Sequence, residues 1–228
     1  MRGSPAQSCV IAVLGAESTG KTVLVQAIAK RLEDDGQAVT RVGEYLREWC
    51  DREGRTPRPD EQAAIAREQT RRIDAAAARG CVVADTTALM TAVYSDLLFD
   101  DQTLYEPALD AQRRYAVTLL TALDIPWVAD GLQRDGPHVR EPVDAKVRAA
   151  LMGDGLPYAV VHGSGEDRLA NALNAINSIA ECADRTAVSS QSGLKNATWT
   201  WACEKCSDPV CEHRLFTDLV ATKRSTAP

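Results

Sequence analysis

The chain has 228 residues, 45% hydrophobic content and a formal net charge of −6, which suits one α/β domain with its own core plus an appendage. The negative balance argues against nucleic acid or an anionic membrane as a partner of the whole molecule. No apolar run approaches the roughly 20 residues that span a bilayer, and Met1–Ser8 is too short and polar for a secretory signal, so a cytoplasmic location is expected.

In chain order, Val10 to Leu14 is an apolar run that reads as a strand and ends at a glycine-rich turn. Leu24, Ile28 and Leu32 then recur at helical spacing, and Gly36 is a stop signal. Val39 to Val42 reads as a second strand. Asp60 opens a long helix that closes near Gly80, and Cys81 to Ala84 is a compact third strand ending at Asp85. Ala116 to Leu120 is a fourth strand candidate, with a helix over Ala111 to Leu123 as the alternative. Pro142 to Leu151 is helical, Tyr158 to Val161 is a fifth strand, and Asp167 to Ala183 is the last helix. Continuous apolar strands alternating with helices predict an α/β fold, a parallel sheet with helices on both faces. The predicted organisation is an α/β domain over 1–184, a polar linker over 185–198 and a Cys/His-rich tail over 199–228.

Gly15-Ala16-Glu17-Ser18-Thr19-Gly20-Lys21-Thr22 fills every fixed position of the G-x-x-x-x-G-K-[ST] pattern, between a strand and a helix. Gly15, Ser18, Thr19 and Gly20 belong to a loop whose backbone N–H groups face phosphates. Lys21 reaches the β- and γ-phosphates of ATP, and Thr22 offers its hydroxyl to Mg²⁺. Asp85, at the carboxyl end of a strand, is the expected second acid. It either holds Mg²⁺ or acts on the substrate hydroxyl, unless it simply caps the following helix. Glu44 follows the second strand and is placed to orient an acceptor hydroxyl and take its proton. The competing reading is a surface ion-pair ladder of Glu44, Arg47 and Glu48. Gln62, Ile65, Gln69 and Ile73 share one helical face, so the two amides either face a polar ligand or lie at the stripe's margin. Trp127 to Gly136 carries two glycines, two acids and Arg134, with Arg140 shortly after. This composition suits a lid whose arginines close over the triphosphate, against the alternative of a solvated loop.

These segments are similar to the ribosylnicotinamide kinase domain of NadR-type proteins. The matching pieces are GAESTGKT, EYLRE from Glu44, EQTRRID from Glu68, DTT from Asp85 and WVADGL from Trp127, in order over roughly residues 9 to 182. The resemblance implies transfer of the ATP γ-phosphate to the ribose 5′-hydroxyl of nicotinamide riboside. It implies Gly20, Lys21 and Thr22 at the phosphates and metal, and Asp85 and Glu44 near the reacting hydroxyl. It also implies a mononucleotide product, because the sequence starts at the P-loop strand with no room for an adenylyltransferase domain. One position departs: the family often has an aromatic residue where this chain has Gly43, leaving Tyr45, Trp49 or Trp127 as stacking surfaces.

Cys9, Cys50, Cys81 and Cys182 are scattered and read as small buried hydrophobes of a reducing compartment. In the tail, Cys203, Cys206, Cys211 and His213 provide the four N/S ligands of a tetrahedral Zn²⁺ site, with free thiols and a redox or iron–sulfur role as alternatives. Two function classes follow. One is an enzyme, a phosphotransferase acting on a small nucleoside-like molecule. The other is a P-loop ATPase working as a regulatory switch, with the tail contacting a protein or nucleic-acid partner.

Overall fold

Strands without polar alternation need cover on both faces, and the chain supplies it. The computed structural model describes residues 9–128 and 137–189. Five strands, β1 (Val10–Leu14), β2 (Val39–Val42), β3 (Cys81–Asp85), β4 (Val117–Thr121) and β5 (Ala159–Val161), form one sheet in the order β2-β3-β1-β4-β5. All pairs are parallel, with Val13 beside Asp85, Leu14 beside Leu120, and Val42 beside Ala84. The helices are α1 (Lys21–Asp34), α2 (Tyr45–Glu53), α3 (Pro59–Ala77), α4 (Ala88–Phe99), α5 (Tyr105–Gln112), α6 (Arg140–Gly153) and α7 (Gly165–Ser189).

Side chains alternate along each strand, which sorts the core into two layers. Ile11, Val13, Val83, Leu119 and Val161 pack under α1 and α7, against Leu24, Ile28, Ala172 and Ile176. Val10, Ala12, Val82 and Ala84 meet Ile73 and Ala76 of α3, and Leu14 and Leu120 meet α4 and α6. Helix α4 is tied sideways by Asp96, which accepts from Lys146 Nζ of α6 at 2.5 Å and from the Tyr105 hydroxyl of α5 at 2.9 Å. The Lys146 ammonium holds the Asp96 carboxyl below its usual range, against the opposing effect of burial. Among the described residues no helix is long and apolar enough to cross a membrane.

The segment between α5 and β4 resolves the open choice at 111–123. The helix stops at Gln112 and the strand starts at Val117. Two expectations about cysteines change. Cys9 is exposed and Cys81 half-buried, whereas Cys50 is buried. The β1–β3 register sets Cys9 beside Cys81, with Val82 N donating to Cys9 O at 2.8 Å. Asp130 to Gly136, with Arg134, and the tail residues Cys203, Cys206, Cys211 and His213 lie outside the described residues.

Candidate active site

The strand order reverses at β1, so its carboxyl end is flanked by β3 on one side and β4 on the other. That junction is where open parallel sheets bind ligands. The loop Gly15–Gly20 fills it. Gly15 has φ 147°, and a Cβ there would lie 1.9 Å from Thr121 Oγ1 of β4. That hydroxyl is 3.1 Å from Leu14 O and 2.7 Å from Thr19 Oγ1, and Thr19 donates to Ala16 O at 2.7 Å. Thr121 and Thr19 therefore fix the loop from below with buried hydroxyls. Lys21 opens α1, is 9% exposed, and donates from Nζ to Ala16 O at 2.8 Å. Gly20 caps the helix in the left-handed region at φ 72°. The first-turn N–H groups of α1 thus face the mouth of the loop, a position that favours anions.

Thr22 Oγ1 donates to Asp85 Oδ2 at 2.6 Å. Asp85 is 5% exposed, and its Oδ1 is buried with no hydrogen-bond partner among the described residues. An ionised carboxylate held out of water with one oxygen unsatisfied is costly, and a hard cation with oxygen ligands relieves that cost. The pair of Thr22 and Asp85 therefore fits Mg²⁺. The chain leaves Asp85 through Thr86, whose φ of 68° is rare for a β-branched residue. Thr86 N donates to Val13 O at 3.0 Å, which pins this strained turn to β1. Thr87, not Asp85, caps α4: its Oγ1 accepts from Leu89 N and donates to Gln112 Oε1.

Glu44 stands two residues beyond β2, the strand next to β3, with its side chain 15% exposed. Arg47 Nη2 approaches it at 3.4 Å, while Glu48 pairs with Arg72 at 2.6 Å. The ladder is thus split between two partners. Gln69 of α3 brackets Glu44: Oε1 accepts from Tyr45 N at 2.7 Å and Nε2 donates to Gly43 O at 3.2 Å. Of the two amides, Gln69 is a brace for the β2–α2 turn and Gln62 is not. Tyr45 and Trp49, two of the candidate stacking surfaces, are each faced by a guanidinium, Arg72 at 4.3 Å and Arg55 at 4.8 Å.

On the β4 side, Arg140 is 8% exposed and donates from Nη1 to Ile125 O at 3.0 Å. Its Nε and Nη2 are buried without partners among the described residues. Ile125 reaches within 3.3 Å of where a Gly20 Cβ would stand, so Arg140 is anchored on a residue that touches the phosphate loop. Arg168 of α7 is also buried and pairs with Asp124 at 3.2 Å. Burial, opposed by Asp124 and aided by Arg140, lowers its affinity for the proton. Asp124 thus pairs with Arg168, while Arg140 has only the Ile125 carbonyl, so a buried guanidinium without a carboxylate partner among the described residues stands beside the loop. Ser18, at φ 53°, exchanges hydrogen bonds with Val128 O and N at 2.6 and 3.1 Å, tying the loop to the chain after β4.

The sequence-predicted Lys21, Thr22 and Asp85 come together here, with Glu44 on the adjoining strand end. Thr121 and Arg168 had no sequence signal, since neither belongs to a motif and each acts through a contact distant in sequence, whereas Gln69 was visible on its helical stripe but its duty as a brace was not. Among the described residues no group of three or more His, Cys, Asp or Glu side chains is placed to hold a metal.

A family model described as an AAA domain matches residues 10–168. Among solved structures, NadR protein in complex with NAD and AMP-PNP aligns with TM-score 0.55 and 22% identity, covering 86% of this chain and 52% of that one. NadR protein in complex with NR aligns with TM-score 0.57 and 23% identity, covering 85% and 53%. At such identity the likeness establishes the fold, a parallel five-stranded P-loop kinase-like domain. The chain spans about half the length of those NadR chains. A comparison with curated proteins found no significant match.

Proposed function

This chain belongs to the AAA-domain family of P-loop proteins, and from that premise we propose that it is an ATP-dependent phosphotransferase acting on a hydroxyl of a small nucleoside-like molecule. The observation that carries this reading is the 2.6 Å contact of Thr22 with Asp85, whose second carboxylate oxygen is buried and unpartnered at the mouth of the phosphate loop. The ribose 5′-hydroxyl of nicotinamide riboside is the acceptor we propose, supported by the sequence resemblance and by the fold shared with NadR.

In this reading the loop N–H groups and Lys21 bind the triphosphate, with Lys21 exchanging Ala16 O for phosphate oxygens. Thr22 and Asp85 hold Mg²⁺, which when bound neutralises charge on the β- and γ-phosphates. Glu44 orients the acceptor hydroxyl and takes its proton as the new P–O bond forms. Arg140 supplies charge from the β4 side, and Arg134 is proposed to act with it. The tail residues Cys203, Cys206, Cys211 and His213 are proposed to hold a structural Zn²⁺, because four protein ligands leave no place for a reactive water.

The test is ATP consumption by the purified protein against a panel of nucleosides that includes nicotinamide riboside, with Lys21→Ala as the control. Acceptor-dependent phosphate transfer, lost in a folded Lys21→Ala protein, is expected. Slow hydrolysis that no nucleoside stimulates would instead identify a regulatory ATPase. Glu44→Gln should lower turnover by about 10²–10⁴-fold with little change in ATP affinity. If Asp85→Asn shows that profile and Glu44→Gln does not, the two acids exchange roles.

A further inference from the structure

Helix α3 places a second amide where the acceptor would enter. Because β2 and β3 are parallel, α3 runs back across the sheet and its first turns stand beyond the carboxyl edge. Gln69 marks the level of that edge through its bonds to Gly43 and Tyr45. Gln62 lies seven residues earlier, about 10 Å further out on the ligand side, and within roughly 20° of Gln69 around the helix. Its direction is bracketed by its neighbours. Ile65 on one side packs with Trp49 and Cys50 of α2. Ala66 and Ala63 on the other side join the cluster built from Leu89, Ala92 and Val93 of α4. Gln62 therefore projects between α2 and α4, on the side of the sheet where the strands carrying Glu44 and Asp85 end.

The side chain is 2% exposed, and its Oε1 is buried without a hydrogen-bond partner among the described residues. A buried amide oxygen left in that state is destabilising, and a ligand donor would relieve it. Gln69, equally buried on the same stripe, is satisfied on both atoms, so burial on this helix does not by itself produce an unpartnered amide.

We infer that Gln62 is a specificity-determining residue that pairs with a planar donor–acceptor edge of the acceptor. A primary amide carries a carbonyl acceptor and an NH₂ donor side by side. Its complement is a group of the same kind, either a carboxamide or the hydrogen-bonding edge of a nucleobase. Turning the amide by 180° exchanges donor and acceptor, so Gln62 can read either order. The inference rests on the phosphotransferase reading for the identity of the ligand as acceptor, and on the geometry of α3 for the contact.

The experiment uses the full chain with three nucleosides: nicotinamide riboside, the pyridine riboside that lacks its carboxamide, and cytidine as the base-edge arm. Phosphate transfer and calorimetric binding are measured for the wild type and Gln62→Leu. The substitution should raise KM and Kd about 3–10-fold more for the nucleoside that carries the matching edge than for the pyridine riboside, the size of one lost neutral hydrogen bond. Selective loss with nicotinamide riboside identifies a carboxamide, and selective loss with cytidine identifies a base edge. Equal effects on all three, or none, overturn the role of Gln62. Nucleoside binding without phosphate transfer overturns the phosphotransferase reading instead, with the Gln62 contact still judged by the binding constants. Absence of both overturns the pairing as well. Gln62→Met, of similar length, replaces the leucine variant if that protein fails to fold, and Kd for an ATP analogue reports whether the phosphate loop is intact.

Discussion

A methyl group at position 15 has nowhere to go. It would meet Thr121 Oγ1 at 1.9 Å, and the φ of 147° already disfavours any side chain. Gly15→Ala is therefore expected to cost about 2–5 kcal/mol in urea unfolding, from backbone strain together with overpacking, and to abolish binding of an ATP analogue. Unchanged binding in a folded variant would mean that the loop can move off β4 without loss. The glycine was readable as part of a motif, but its partner Thr121 was not, because 105 residues of chain lie between them and the β1–β4 pairing is what brings them together. The same holds at Cys9, which residue type alone assigns to the core. Beside Cys81 it becomes a distinct chemical group: the hydrogen bond from the Cys81 thiol stabilises the Cys9 thiolate and lowers its pKa to about 7, while burial opposes this. Alkylation by iodoacetamide should therefore show a rate midpoint near pH 7 at Cys9. Cys81→Ala should move that midpoint up toward an ordinary thiol, and a midpoint insensitive to residue 81 contradicts the pairing.

At the scale of elements, β1, β3 and β5 were legible as short apolar runs, whereas β2 carries Thr40 and an exposed Arg41, as its place at the sheet edge permits. Helix α4 was not, for a physical reason: Ala88 to Val93 is buried all the way round, so no polar face interrupts the run and no helical period appears. Helix α5 has only eight residues and holds Pro107 in its first turn, where proline is tolerated but reads as a stop. Helix α3 shows what periodicity can and cannot tell. It placed Gln62 and Gln69 on one stripe, yet their different duties depend on how far each lies from the edge of β2. The brace has a measurable consequence. Gln69→Leu removes partners from both Gly43 O and Tyr45 N, so it should destabilise the fold by about 2–5 kcal/mol. If Glu44 is the base, it should also lower kcat by on the order of 10-fold or more, through misplacement, while KM for ATP holds. Gln69→Glu keeps the acceptor for Tyr45 N and loses the donor to Gly43 O, so it should recover part of the activity. A Leu variant that lowers stability with kcat intact would make Gln69 a structural residue only.

For the whole molecule, the question is what the segment after α7 contributes. Contacts divide the chain at Ala183 and Asp184. The sheet and the phosphate loop belong entirely to the first unit, and α7 docks on it through Ala172 and Ile176. The expected linker over 185–198 begins inside α7, which continues past Ala183 to Ser189, while the polar residues Ser190 to Gly193 lie outside the described residues. What the cysteines beyond it hold is a matter of chemistry rather than pattern, since thiols at this spacing serve zinc, redox exchange or neither. A chain ending at Ser189 keeps every buried side chain named above, so it should fold with an unchanged cooperative transition and bind an ATP analogue like the full protein. Metal analysis of the two purified forms should find about one Zn²⁺ per full-length chain and none in the shortened one, with release on protonation of the thiolates at acid pH. Equal zinc in both forms would remove the site from the tail. If nucleoside phosphorylation is lost on shortening although nucleotide binding survives, the tail completes the acceptor side of the site, and the metal then stabilises a catalytic element rather than an independent appendage.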